Sequence, residues 1–391
     1  YSNYFHSFHK SKFNNRIMKY SIFTLLIVLI ISIKGFSQVQ NFEKVSQEWK
    51  TDTAKHSLPL NEFRALLKRD GIPPIDNPKY ISASDSKSQY FVHEPVIVIE
   101  NKGDAKAIPL NILTYHEIVN DNIGDLFFSA SYCPLCNSSI AFNRKLNFND
   151  KDYLLDFGTS GMLRNSNLVM WDRQTETWWQ QFVGVGMVGK LTGAELEMLP
   201  AQIISLENFI ENYPNGEVLS NETGFEKQKQ RYGTNVYEEY DSKPNPRLFF
   251  GEIDDRLPAM ERVIDIQSKG EFKIYPHSIV AKEKVINDEF NGLELVLFFQ
   301  SGTNSILDVK DISKAKDIGS ITVFERVINE KKLTFKKDGN NFNDIETGST
   351  WTITGKCIKG KLKGEKLTPI RYGNHFAFSW FAFNPESEIY K

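Results

Sequence analysis

The sequence predicts a mainly β protein with short helices, an α+β chain in which one β-rich unit occurs twice and the two units pack as domains. Three observations carry this. Short β-branched and aromatic runs alternate with turn residues, an ordered set of residues recurs far along the chain, and three Cys in 391 residues are too few to staple it. An extended hydrophobic core must therefore do the folding. Lys and Arg number 47 against 49 Asp and Glu, so nothing in the charge points to nucleic acid or an anionic membrane surface.

The elements follow in order. Residues 1–37 read as an upstream extension and a secretory signal peptide. Met18 and Lys19 precede an apolar run from Ile22 to Ile33, and Lys34, Gly35, Phe36 and Ser37 make a small-residue exit. The run is shorter than the ~20 apolar residues of a membrane span. The expected mature chain, from about Gln38, is exported to the periplasm or beyond and keeps no stable membrane span. Residues 38–90 form a preface, predicted helical because Leu60, Phe63, Leu66 and Leu67 fall at helical spacing before Gly71, Pro73 and Pro74.

The first β-rich unit spans 91–220. Val96–Ile99, Leu126–Tyr132, Leu168–Trp171 and Trp178–Val183 read as strands, and Ile140–Leu146 and Tyr153–Phe157 as a hairpin about the turn cluster Asn147–Asp150. Ser205 opens a short helix, Leu206–Asn212, that Pro214 and Gly216 end. A polar, Tyr-rich connector covers 221–260, and the second unit covers 261–391.

Self-similarity links the two units. Asp172, Thr175, Thr177, Trp179, Gly184, Gly189 and Leu191 recur as Asp344, Thr347, Ser349, Trp351, Gly355, Gly360 and Leu362. Upstream, Lys106–Pro109 answers to Lys273–Pro276, and Ile118-Val119-Asn120-Asp121 meets Val285-Ile286-Asn287-Asp288 at identical offsets from each Pro. The repeated Gly suit turns or bulges, and the paired Trp suit core anchors.

The second unit is a control for chemistry. Cys133-Pro134-Leu135-Cys136 follows a strand in the first unit, and the equivalent stretch of the second, Phe298–Ile306, has no Cys. His116, seven residues after Pro109, has Glu283 as its counterpart. The framework thus persists where both groups are lost, which marks Cys133, Cys136 and His116 as site candidates. Three readings stay open. The thiols close a structural disulfide, they bind copper or zinc with His116 as third ligand, or they cycle in thiol–disulfide exchange. Asn137 after the second Cys excludes covalent c-type haem attachment. A weaker expectation is a non-catalytic binding module that uses Trp171, Arg173 and Trp178. Cys357 falls opposite Gly186 and reads as an ordinary thiol. No Ser elbow, Gly-rich phosphate loop or metalloprotease helix is present.

The runs Tyr132–Asn137, Phe157-Gly158-Thr159-Ser160-Gly161 and Leu168–Thr175 resemble the bacterial domain-of-unknown-function family 3179, a group of exported proteins. Asp70–Pro73, His116–Asp121, Thr223-Gly224, Tyr232-Gly233, Tyr237 and Arg256-Leu257 are similar to it too, so the resemblance covers nearly the whole mature chain. It implies no activity. It places Cys133, Cys136 and His116 within the family's signature and confines any site to the first unit.

Overall fold

A computed structural model describes residues 49–391; the expected leader lies outside the described residues. The chain is mainly β, with a few short helices and several small sheets. In the first half these are β1 (Pro95–Asn101), β2 (Asp104–Pro109), α1 (Leu110–His116), β3 (Ile118–Ile123), β4 (Leu126–Cys133), β5 (Ser138–Asn143), β6 (Phe157–Arg164), β7 (Asn167–Asp172), β8 (Trp178–Gln180), β9 (Val185–Val188), β10 (Gln202–Ser205), α2 (Leu206–Asn212) and β11 (Glu217–Leu219). In the second they are β12 (Arg262–Ser268), β13 (Glu271–Pro276), α3 (His277–Glu283), β14 (Val285–Phe290), β15 (Leu293–Gln300), β16 (Ser320–Glu325), β17 (Phe335–Asp338), β18 (Asn341–Asp344), β19 (Thr350–Trp351), β20 (Cys357–Lys359), β21 (Asn374–Phe376), α4 (Ala377–Phe383) and β22 (Glu388–Ile389).

Three sheets in the first half have partners of like order in the second. The order β10-β1-β2-β11 matches β21-β12-β13-β22, β5-β4-β3 matches β16-β15-β14, and β6-β7-β8-β9 matches β17-β18-β19-β20. Local chemistry explains the elements. β1 is a β-branched run buried along most of its length, and it turns into β2 through Lys102 and Gly103, both at positive φ, as a tight hairpin requires. Pro109 starts α1 without a backbone donor to waste, and Glu117 closes it in the left-handed region at φ 57°. Ser205 caps α2 by accepting from the Asn208 amide at 3.1 Å. The expected hairpin about Asn149 and Asp150 is present as Lys145–Phe148 against Lys151–Leu154.

Specific bonds recur between the halves. Asp172 accepts from the Thr175 amide (2.6 Å), the Thr175 hydroxyl (2.9 Å) and the Trp179 indole (2.8 Å). Asp344 accepts from Thr347 and Trp351 at 2.6, 2.9 and 2.9 Å. The Asn120 amide exchanges two bonds with the Phe157 backbone, and Asn287 does the same with Phe335. Trp179 faces Gly186 across its ladder, as Trp351 faces Cys357. The largest apolar cluster is continuous through both halves, from Val96, Tyr132 and Trp179 to Phe298, Trp351 and Phe376.

The helical preface is corrected. Leu60–Glu62 forms one 3-10 turn, and Arg64–Ala65 is a strand edge paired with Leu163 and Met162. Phe63 and Ala65 face inward on either side of Arg64, as along a strand, while Leu66 and Leu67 are both exposed and share no buried helical face. A segment this short gains more from the open edge of β6 than from an isolated helix. Among the described residues no helix is long and apolar enough to cross a membrane.

Candidate functional site

The Cys pair sits on the hairpin between β4 and β5. Cys133 ends β4 opposite Ser138, and Pro134–Asn137 make the turn, with Asn137 at φ 51°. This geometry folds Cys136 back over Cys133. The two Sγ atoms lie 2.9 Å apart and both side chains are buried. A bonded pair would stand at ~2.05 Å, so the expected disulfide is open here and the residues are free thiols.

The hairpin turn between β6 and β7 closes over the sulfurs. Both thiols point at the Ser166 carbonyl, at 3.7 and 3.8 Å, and the Asn167 side-chain amide donates to Cys136 Sγ at 3.1 Å. The pair is electrostatically unequal. Burial pushes the Cys133 thiol up, but the bond from Cys136 and the backbone N–H groups of Cys136, Leu168 and Leu135 outweigh burial and hold it below the ordinary range. Cys136 is pushed well up by burial, then by its bond to Cys133 and by Cys133's charge. Glu117 adds to that rise.

Glu117 is the residue that sequence reasoning missed. It follows His116 at the left-handed end of α1, and burial, reinforced by Cys133, drives its carboxyl well above the carboxylate range. Its side chain has no hydrogen-bond or ion-pair partner among the described residues. A signal was present: counting from Pro109 and Pro276, Glu117 falls opposite Lys284, so the second unit loses it along with the thiols.

His116 is not brought to the sulfurs. Its Nδ1 bonds the Pro73 carbonyl at 2.7 Å and its Nε2 meets the Tyr232 hydroxyl at 2.6 Å. A carbonyl only accepts, so Nδ1 carries the proton and Nε2 accepts from Tyr232. Burial lowers its pKa to about 4 against the opposing carbonyl bond, which keeps the ring neutral. Both ring nitrogens are thus committed to tying the preface and the connector to α1. Among the described residues no group of three or more His, Cys, Asp or Glu side chains is placed to hold a metal ion. The three-ligand copper or zinc site of Cys133, Cys136 and His116 is therefore corrected.

Trp171, Arg173 and Trp178 serve the chain itself. Trp171 donates to Asp70 Oδ1 at 3.1 Å, Arg173 pairs with Asp76 at 3.0 Å, and Trp49 packs edge-on against both Trp171 and Trp178. The faces expected to meet a ligand are covered by the preface.

The connector also folds over the Cys turn. The Tyr240 hydroxyl donates to the Leu135 carbonyl at 2.8 Å, the Ser166 hydroxyl donates to the Arg247 carbonyl, and the Phe376 amide of β21 donates to the Cys136 carbonyl at 2.9 Å. Between connector, preface and β6 lies a cavity of about 640 Å³. Glu117, Leu135 and Leu168, the immediate neighbours of the sulfurs, form part of its wall.

Fold and site together define a mainly β protein that encloses a reduced Cys-x-x-Cys turn beside an uncompensated carboxyl. A family profile described as protein of unknown function (DUF3179) matches residues 69–387. The chain belongs to that family. Comparison with curated proteins and with solved structures found no match.

Proposed function

We propose that the protein is an exported thiol–disulfide centre, in which Cys133 and Cys136 alternate between dithiol and disulfide. The observation that carries this is the 2.9 Å approach of two unequal thiols: closing to a bond needs a shift of under ~1 Å. Cys133 is the attacking sulfur, because its pKa lies on the low side. A small disulfide, RSSR, is the oxidant class. The Cys133 thiolate attacks one sulfur of RSSR, forms a mixed disulfide and releases RS⁻. Cys136 then attacks Cys133 Sγ, the second RS⁻ leaves, and the two thiol protons end on the two released groups. Burial of both sulfurs favours a small partner over a protein disulfide.

We also propose that the halves arose by tandem duplication, with the chemistry kept in the first. The recurring Asp–Thr–Trp and Asn–backbone bonds support that reading, as does the matching sheet order. The leader expected from the sequence at residues 1–37 supports export to a compartment where such a couple is used.

The test is a thiol count on folded protein after equilibration with oxidised glutathione over a range of redox ratios. The reading expects loss of two thiols in one step, full recovery on reduction, and a trapped mixed disulfide in Cys136→Ser. Thiols that stay reduced at every ratio, or a trapped species only in Cys133→Ser, would overturn it. Mass analysis of the mature N-terminus after cell fractionation tests export; a chain retaining residues 1–37 in the cytoplasm would refute that part.

A further inference from the structure

We propose that the 640 Å³ cavity beside the Cys pair binds a small apolar molecule carrying one anionic group, of the medium-chain carboxylate kind. Its size falls within the ~300–1,000 Å³ of small-ligand sites. Most of its wall is apolar, and Leu66, Leu67 and Leu248 stay exposed at the rim, at 41, 48 and 41%. Four polar side chains reach it: Glu117, Thr159, Tyr237 and Arg247.

Their arrangement selects the charge of the ligand. Arg247 lies at the exposed edge with its guanidinium 5.2 Å from the Tyr240 ring centre, and no carboxylate among the described residues pairs with it. The Thr159 hydroxyl is spent on the Ile72 carbonyl at 2.7 Å. Glu117 lies at the buried end, where burial favours the neutral acid. A cation would find no partner at the mouth. An apolar chain with a carboxylate at Arg247 satisfies the guanidinium and covers the leucines. The ligand would also stand over Leu135 and Leu168, between solvent and the sulfurs. Occupancy therefore shields the thiols whether or not they are redox-active.

The test is calorimetric titration of the mature protein with laurate. Saturable binding near one equivalent is expected, with at least tenfold weaker binding of the neutral analogue dodecanol. Arg247→Ala, at an exposed position, should weaken laurate about tenfold and leave dodecanol unchanged, and Leu163→Trp should abolish both by filling the cavity, with circular dichroism confirming the fold. Laurate should slow iodoacetamide labelling of Cys133 several-fold. The double variant Cys133→Ser/Cys136→Ser should bind laurate normally, so failure of this site and failure of the redox reading give different results. Absence of saturable binding, equal affinity for dodecanol, or an Arg247→Ala protein that binds laurate as before would overturn the assignment. So would co-sedimentation with phosphatidylglycerol vesicles in the absence of free-laurate binding, which would make the rim a membrane contact.

Discussion

Glu117 and Lys284 occupy the same place in the two halves, each closing its helix in a left-handed conformation, at φ 57° and 67°. One is buried against a thiol pair, and the other lies exposed with its ammonium 4.4 Å from the Phe299 ring centre. The backbone demand is shared while one side chain is an acid and the other a base. What differs is what lies beyond the following hairpin: in the first half Cys133 and a four-residue turn that carries Cys136, and in the second a long excursion between Gln300 and Ser320.

Glu117→Gln should lower the pH at which Cys136 reacts. The carboxylate raises that thiol, so removing its charge moves the alkaline limb of Cys136 labelling to lower pH. Iodoacetamide rates against pH, read by mass spectrometry at each Cys, measure this. An unmoved limb would detach Glu117 from the site.

Asp172→Ala and Asp344→Ala should destabilise the protein by similar amounts, about 2–4 kcal/mol each, because each strands a buried Trp N–H and at least one backbone N–H. Urea unfolding of the two variants gives the comparison. A cost confined to one of them would break the equivalence of the halves.

His116 and Glu94 should bend the pH–stability curve in opposite directions. The folded pKa of His116 is lowered to about 4 from 6.5, so the unfolded chain takes the proton first and stability falls as pH drops through that window, by about 3 kcal/mol. Glu94, fully buried, is raised to about 8 from 4.5, so the folded chain keeps the proton and stability falls as pH climbs through that window. His116→Gln should flatten the acid side and Glu94→Gln the alkaline side, as read from urea midpoints between pH 4 and 9.

Gly161→Ala should lift the preface. Gly161 has φ +77° at the bulge of β6, and a Cβ there would run into the Leu67 backbone carbonyl. Strain of roughly 1–3 kcal/mol is expected, with faster proteolysis between residues 60 and 76 as the local readout.

Much of this architecture was legible in the sequence because it rests on local rules. β-branched runs became strands, Ser205 became a cap, and the spaced Asp, Thr and Trp became a repeated bonding unit. The preface misled because apolar spacing over one helical turn also fits a strand edge, and only the open side of β6 decides between them. His116 misled differently. Its loss from the second unit accompanies the loss of the thiols, but its partners, Pro73 and Tyr232, lie 43 and 116 residues away in sequence. Pattern alone does not reveal such partners. Glu117 was readable from the same comparison, but an acidic residue at a helix end is ordinarily solvated and gave no reason to single it out.

The Phe376 amide grips the carbonyl of Cys136 from the far end of the chain. A fragment that stopped before Asn374 would hold both sulfurs, the Glu117 carboxyl and every wall of the cavity, yet its turn would lose the bond to the Cys136 carbonyl and keep only the Tyr240 hydroxyl on that of Leu135. Any version shortened at that point would thus report the reactivity of a turn held from one side and misstate that of the intact protein.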